Sequence, residues 1–225
     1  HTPVAPPAPF DTMIDPDSVD LPAETETPPE DRPPWLGRDL ASMAGASLLS
    51  RDQVRRMRQA YYGQAAFLDQ QFGRLLDWMR GRGLLDNTII AFVSDHGTHL
   101  GDYGLVQKQT FYRPVVCVPW MLHFPGVVAP GVMNETPVET IRLLPTLLQL
   151  AGLEAPETCS AAGLADSLRA GSEPRDECVF SELSIGSFGC RERDRLVMAW
   201  RGDHKLSVCL DPEPGEGQLH DLSED

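Results

Sequence analysis

The stretch that decides the fold is residues 88–97, which read Thr-Ile-Ile-Ala-Phe-Val-Ser-Asp-His-Gly. Its first six residues are apolar or β-branched without alternation, which is typical of a central strand buried on both faces of a sheet. Asp95 and His96 follow where that strand ends, and open α/β sheets bind their ligands at that edge. A carboxylate and an imidazole are both metal ligands, and Gly97 permits a sharp turn that directs them into one site. Two adjacent ligands are a weak motif, so a structural use of both residues stays open on spacing alone.

Helix and strand signals lie on both sides of this strand. A capping box at residues 50–53 begins a long amphipathic helix whose apolar residues recur every three or four positions, and Gly81 and Gly83 end it. A second strand is predicted at 115–124 and a second helix at 140–151. Helices alternating with apolar strands predict an α/β fold.

Beyond residue 156 the sequence changes to short β-like runs separated by Gly, Asp and Pro, which predicts a small antiparallel sheet. The runs are 177–183, 195–200, 204–210 and 218–222. We therefore divide the chain into a main α/β portion at 1–156 and a small antiparallel subdomain at 157–225. Residues 1–49 are irregular in this interpretation, because their proline- and acid-rich beginning forms neither a helix nor a ladder. Composition alone fits either a tail or a loop laid over the folded body.

The composition argues against some classes of function. A formal net charge of -14 over 225 residues argues against broad electrostatic binding to nucleic acid or to an anionic membrane surface. No apolar stretch approaches the roughly 20 residues of a membrane span. Because the chain begins at His1 rather than at Met, we expect it to be part of something longer, and its location stays open.

The five cysteines are odd in number and lack metal-like spacing. This pattern favours reduced thiols buried in strands over a disulfide framework. It favours a cytoplasmic location, while a periplasmic or secreted protein stays open.

A longer pattern surrounds Asp95 and His96. It runs from the strand through Ser-Asp-His-Gly to Leu-Gly, Gly-Leu, Lys108, an aromatic residue and a strand ending in Val-Pro at 118–119. This pattern resembles the sulfatase family of the alkaline-phosphatase superfamily. Further stretches similar to that family are 61–62, 83–88, 143–148, 204–206 and 219–222. The resemblance implies part of a mostly parallel sheet flanked by helices, in the C-terminal half of such an enzyme.

The resemblance implies four site residues. Asp95 and His96 would be two ligands of a single divalent cation, and Lys108 would contact a sulfate oxygen. A cation and a fixed ammonium would stabilise the charge that the ester oxygens gain in the transition state. His1 would contact the sulfate or protonate the leaving oxygen, and the residues after it would form an ordered loop over the site. A solvated loop lysine and a frayed first residue are the structural alternatives.

The resemblance also implies what this sequence does not contain. The family's nucleophile is a formylglycine made from Cys or Ser in a Cys-x-Pro-Ser-Arg or Ser-x-Pro-x-Arg element, which is absent here, as are the paired aspartates of the metal shell. We therefore expect the chain alone to be inactive. The cation would be Ca²⁺, with Mn²⁺ as a competitor because Asp-His stands where many sulfatases have Asp-Asn. The substrate would be a sulfate ester of a small molecule or glycan, and the partner would be the N-terminal half of the same enzyme.

Two other functions stay open. A phosphonate monoester or phosphodiester hydrolase of the same superfamily uses much the same residues. Alternatively, the chain is a stand-alone, inactive half that binds a partner through an exposed apolar face.

Among the remaining polar residues, His99 and Asp102 are expected at most at the rim of the site or against substrate. His123 is expected in the core or at a sheet edge, with His204 and His220 exposed.

Overall fold

A computed structural model of the chain describes residues 3–22, 49–108, 110–175, 177–184, 195–210 and 217–222. The chain forms two compact units. The first unit consists of His1–Gly83 and His96–Cys117, and the second of Leu84–Asp95 and Val118–Asp225. The boundary predicted at residue 156 stays a prediction.

The first unit is built on one long helix, α1, at Arg51–Arg80. Its N-cap is Ser50, whose hydroxyl accepts from the Gln53 N–H at 3.3 Å while the Gln53 side chain accepts from the Ser50 N–H at 2.8 Å. The predicted capping box is therefore confirmed. The helix ends at Gly81, and the chain turns at Gly83, where φ is +65°.

The described part of the proline-rich segment, residues 3–22, packs on α1. It is irregular apart from a 3-10 turn at Pro16–Ser18. Phe10 is buried and meets the ring of Phe67 edge-on, with the ring centroids 5.5 Å apart. Gly63 is required by this packing, because a Cβ at that position would lie 2.2 Å from the Phe10 carbonyl oxygen. That the proline-rich segment lies over the active site stays a prediction.

A short hairpin and a short helix complete the first unit. Strand β2 at His99–Leu100 pairs antiparallel with β3 at Val106–Gln107 across a 3-10 turn at Asp102–Gly104. Helix α2 follows at Arg113–Val116. The strand predicted from residue 115 is wrong at its beginning, because the proline at the N-terminal end of α2 favours a helical start.

In the second unit, strand β1 at Ile90–Val93 pairs antiparallel with β4 at Trp120–His123. The register sets Val93 against Trp120. The expectation that β1 is buried on both faces is wrong for the described structure, in which β1 is half-buried and Ala91 is exposed. An unbroken apolar run shows which environment a strand tolerates, but the elements that cover it decide its burial.

Two helices follow β4 in the second unit. Helix α3 at Leu143–Leu150 continues a 3-10 turn at Thr140–Arg142, which confirms the predicted second helix, and α4 lies at Ala165–Ala170. The hydroxyl of Thr146, a fully buried residue, joins this layer by donating to the Arg142 carbonyl at 2.6 Å and accepting from the Leu164 N–H at 2.9 Å.

Four strands form the C-terminal sheet. Their bounds are Val179–Ser184 for β5, Arg195–Arg201 for β6, His204–Cys209 for β7 and Gly217–Asp221 for β8. They pair in chain order and every pairing is antiparallel. The predicted small antiparallel sheet and the α/β class are both confirmed.

The described cysteines only partly follow the sequence expectation. Of Cys117, Cys159, Cys178 and Cys209, only Cys209 is buried in a strand, whereas Cys117 and Cys178 are exposed. The expectation of strand-buried thiols is therefore wrong for most of them, because none of the other three lies in a strand. Cys190 lies outside the described residues. Across the described ranges, no helix combines the length and the apolar character that crossing a membrane requires.

Candidate functional site

The turn that carries His96 depends on a close backbone approach at Gly97. The Gly97 N–H donates to the Val115 carbonyl at 2.7 Å. A Cβ at position 97 would lie 2.0 Å from the Pro114 carbonyl oxygen, so no side chain fits there. The glycine expected from the sequence is needed, but for close approach to α2 rather than for a positive φ.

His96 is half-buried and held in one orientation. Its Nδ1 lies 2.8 Å from the Gly97 carbonyl oxygen. Since a carbonyl oxygen only accepts, this contact places the ring proton on Nδ1 and leaves a lone pair on Nε2. A neutral imidazole whose ring is oriented by a hydrogen bond at one nitrogen is the form that binds a metal ion through the other nitrogen.

Lys108 lies directly beside this ring. The Lys108 Nζ is 2.5 Å from His96 Nε2, so the ammonium donates to the nitrogen that carries the lone pair. The structure thus brings together two of the four residues that the sequence singled out. A positive group already occupies the direction in which His96 would meet a metal ion.

Asp95 belongs to the second unit and lies at the end of β1. It is exposed, and its carboxylate is 3.5 Å from the Ser94 hydroxyl. The backbone beside it is fixed, because the Ser94 N–H donates to the Pro119 carbonyl at 3.2 Å. His1 lies outside the described residues.

The donor set suits a divalent cation in kind but is incomplete. A carboxylate and an imidazole are ligands for Mn²⁺ and, in the case of the carboxylate, for Ca²⁺. Among the described residues, however, no group of three or more His, Cys, Asp or Glu side chains is arranged to hold a metal ion. Asp95 and His96 each offer one possible ligand, and a full coordination shell needs others.

The sequence expectation for His99 is wrong. His99 is only 1% exposed, so it is not at the rim of an open site. Its Nε2 lies 2.8 Å from the Thr110 hydroxyl, and its ring meets those of Tyr103 and Tyr112 edge-on. From the sequence, a histidine close to Asp95 and His96 could point toward the site or into the core. The contacts of His99 with Thr110, Tyr103 and Tyr112 place it in the core.

Asp102 is likewise engaged within the first unit, by a residue that sequence reasoning missed. Arg58 on α1 donates to the Asp102 carboxylate at 2.6 Å and to the Leu100 carbonyl at 2.8 Å. Arg58 also donates to the Asp20 carbonyl at 2.6 Å. The other Asp102 oxygen accepts from the Leu100 N–H at 2.9 Å. No sequence signal marked Arg58, because an arginine on a helix face is usually solvated.

The other histidines lie in strands of the second unit. His123 is exposed at the end of β4, and His204 is exposed at the start of β7. His220 is half-buried in β8, paired in register with Lys205. His123 therefore lies in a strand at a sheet edge, as expected, and His204 is exposed, as expected. His220 is less exposed than expected.

Comparison with solved structures identifies the fold. The chain is similar to a phosphonate monoester hydrolase from Silicibacter pomeroyi, with a TM-score of 0.86 and 27% identity over 100% of this chain and 48% of that one. Other structural neighbours include a putative sulfatase from Bacteroides fragilis, so the fold is the alkaline-phosphatase-like fold of the sulfatases.

Comparison of sequences gives the family. The Sulfatase family model matches residues 14–153, and the chain therefore belongs to the sulfatase family. It is 35% identical over 181 residues to a choline-sulfatase of Rhizobium meliloti, covering 79% of this chain and 33% of that protein. It is 28% identical over 228 positions to an arylsulfatase of Clostridium perfringens, covering 100% of this chain and 45% of that protein. The chain thus spans a third to a half of these relatives and corresponds to their C-terminal part.

Proposed function

We propose that the protein to which this chain belongs is a sulfuric-ester hydrolase, and that the chain contributes one wall of its active site. Asp95 and His96 supply two ligands of one divalent cation, Ca²⁺ or Mn²⁺. Lys108 contacts a sulfate oxygen, and His1 contacts the sulfate or protonates the leaving oxygen. The observation that carries the proposal is the Lys108 ammonium at 2.5 Å from the His96 ring, in a chain of the sulfatase family.

The chemistry of these residues follows from charge. A sulfate ester in its transition state gathers negative charge on its bridging and outer oxygens, and a fixed ammonium such as Lys108 stabilises that charge without reorganisation. A bound cation would add Lewis-acid stabilisation of the same oxygens. The hydrogen bond from His96 Nδ1 to the Gly97 carbonyl fixes the ring. For His96 Nε2 to bind the cation, the Lys108 ammonium that it accepts from here would have to move away from it, toward the sulfate. The nucleophile and the remaining metal ligands come from outside this chain.

A second candidate is a phosphonate monoester hydrolase. The similarity to the Silicibacter pomeroyi enzyme extends over 100% of this chain at a TM-score of 0.86. The Asp95-His96 pair also keeps this reading open, since histidine in place of asparagine favours Mn²⁺. The two activities place an anionic sulfur or phosphorus group against the same cation and ammonium.

Parallel assays on the full-length protein decide between these activities. We expect a higher kcat/KM for an aryl sulfate than for the matching aryl phosphonate monoester, measured at equal concentrations of added Mn²⁺ or Ca²⁺. A large preference for the phosphonate would replace the first proposal with the second. The absence of both activities, in a protein that binds its cation, would favour an inactive partner-binding half.

Cation binding tests the two proposed ligands separately from turnover. Titration calorimetry of Mn²⁺ into the full-length protein should give one site, and His96→Ala should weaken it by about 10- to 100-fold, the loss typical of disturbed metal ligation. His123→Ala is the matched control, because His123 is an exposed histidine of β4. Equal affinities in wild type and His96→Ala would remove His96 from the site.

The partner that fits this chain is the N-terminal half of the same enzyme. In the first unit, Leu68, Leu75 and Trp78 of α1 are each at least half exposed. In the second unit, Met121 of β4 and Leu144 of α3 are more than half exposed. Apolar side chains of this size favour burial against another surface, and the chain covers less than half of its relatives. If the chain alone stays monodisperse at high concentration in size-exclusion chromatography, the result favours a stand-alone protein over one half of an enzyme.

A further inference from the structure

The backbone of Lys108 is hydrogen-bonded to Thr110, a buried residue that in turn contacts the buried His99. We propose that His99 and Thr110 are positioning residues that fix the direction of the Lys108 ammonium, a role that rests on the function proposed above for Lys108. His99 and Thr110 do not touch the reacting ester. They act through the backbone that carries Lys108.

The pair itself is buried and mutually hydrogen-bonded. His99 is 1% exposed and Thr110 is 4% exposed, and His99 Nε2 lies 2.8 Å from the Thr110 hydroxyl. The same hydroxyl accepts from the Tyr112 N–H at 3.3 Å. Since buried polar groups are costly when they lose their partners, this arrangement tolerates little displacement.

Thr110 is connected directly to Lys108. The Thr110 N–H donates to the Lys108 carbonyl at 2.9 Å. The position of the Thr110 hydroxyl therefore sets where the Lys108 Cα lies. The Lys108 side chain then reaches the His96 ring, with Nζ 2.5 Å from Nε2.

The segment before Lys108 is equally constrained. Gln107 has a φ of 70° and Tyr103 has a φ of 55°. Residues other than glycine rarely adopt this left-handed conformation. Such a backbone persists only where the surroundings impose it. Here Tyr103 is stacked on Tyr112 with ring centroids 4.7 Å apart, and Tyr112 in turn contacts His99.

The chain also suits a direct measurement of Lys108. Lys108 and Lys205 are its two lysines, and Lys205 is 2% exposed in β7 of the second unit. Mass spectrometry after brief acetylation with an amine-reactive ester therefore reports Lys108 against an internal reference. This readout needs no catalytic activity.

The test compares Thr110→Val, which removes the hydroxyl at nearly constant volume, with Thr110→Ser, which keeps it. In the full-length protein, with each lysine identified by its peptide, we expect Thr110→Val to raise the acetylation rate of Lys108 relative to Lys205 severalfold, and Thr110→Ser to keep the wild-type ratio. In the full-length protein, we expect Thr110→Val to lower kcat/KM for an aryl sulfate by about 10- to 100-fold, the effect of a misplacement on the order of 1 Å. Far-UV circular dichroism checks that both variants fold.

A double-mutant cycle separates positioning from general stability. In a Lys108→Met background, Thr110→Val should cost nothing further, because its effect passes through the missing ammonium. An equal loss in both backgrounds would overturn the positioning role, as would an unchanged acetylation ratio in Thr110→Val. If Lys108→Met itself leaves turnover unchanged, the proposed function of Lys108 fails, and the acetylation ratio still decides whether Thr110 positions it.

Discussion

Replacing Arg58 by alanine should destabilise the first unit far more than replacing another arginine of the same helix. Arg58 donates three hydrogen bonds, to the Asp102 carboxylate and to the carbonyls of Leu100 and Asp20. The Arg58 side chain is 11% exposed and that of Asp102 is 21% exposed. The pair is therefore shielded from water on most of its surface.

The expected loss follows from these contacts. A hydrogen bond to a charged group contributes about 1.5–3 kcal/mol, and removing one partner of a largely buried ion pair costs about 3–5 kcal/mol. Because about a fifth of the Asp102 side chain remains exposed, its carboxylate regains some hydration in the variant. We expect Arg58→Ala to lower the free energy of unfolding by about 2–4 kcal/mol.

Urea unfolding followed by far-UV circular dichroism measures this loss, since α1 contributes most of the helical signal of the first unit. Arg80→Ala is the matched control. Arg80 pairs with Asp77 on the surface of α1, with side chains 64% and 76% exposed, so its loss should be at most about 1 kcal/mol. Equal effects of Arg58→Ala and Arg80→Ala would refute the assignment of Arg58 as an anchor between α1 and the β2–β3 hairpin.

Three further changes have definite expected outcomes. Gly97→Ala should destabilise the first unit by about 3 kcal/mol or more in urea unfolding, because its Cβ would meet the Pro114 carbonyl oxygen at 2.0 Å. Ser50→Ala should cost about 1 kcal/mol in the same experiment, because it removes the cap of α1. Glu173 has a pKa lowered from 4.5, chiefly by the hydrogen bond from the Thr136 hydroxyl, and burial opposes this only in part. The stability that its carboxylate contributes is present above pH 4.5 and is lost as pH falls through the lowered pKa, so Glu173→Gln should flatten that acid dependence of the melting temperature.

Each of these changes has its own check. Gly73→Ala is the control for Gly97, since a Cβ at Gly73 meets nothing within 4 Å and should stabilise the helix by about 0.5–1 kcal/mol. Ser50→Asp keeps a capping oxygen and should retain most of the stability that Ser50→Ala loses. An acid dependence identical in wild type and Glu173→Gln would exclude Glu173 as a titrating contributor.

Local rules of sequence predicted the elements of this fold well. The Ser50–Gln53 capping box, the C-terminal sheet and the helix near 143–150 follow from side-chain chemistry within a few residues. Burial was harder to predict. The apolar sequence of β1 is compatible with burial on both faces of the strand. Whether the faces are buried depends on elements far away in sequence, and in the described structure β1 is half-buried.

The sequence named the candidate site residues only through family resemblance, and their roles stay predictions. The structure places the Lys108 ammonium beside the His96 ring, a contact that the resemblance did not specify. The burial of His99 depends on Thr110, eleven residues later, and the role of Asp102 depends on Arg58, forty-four residues earlier. Nothing in the composition of either segment specifies those pairings.

The most direct test of the central claim is the hydrolysis of an aryl sulfate by the full-length protein with Lys108→Met. If Lys108 is the ammonium that stabilises charge on the sulfate oxygens, kcat/KM should fall by about 100- to 1000-fold while the melting temperature stays close to that of the wild type. A stable Lys108→Met protein whose kcat/KM stays within about threefold of the wild type would contradict the account.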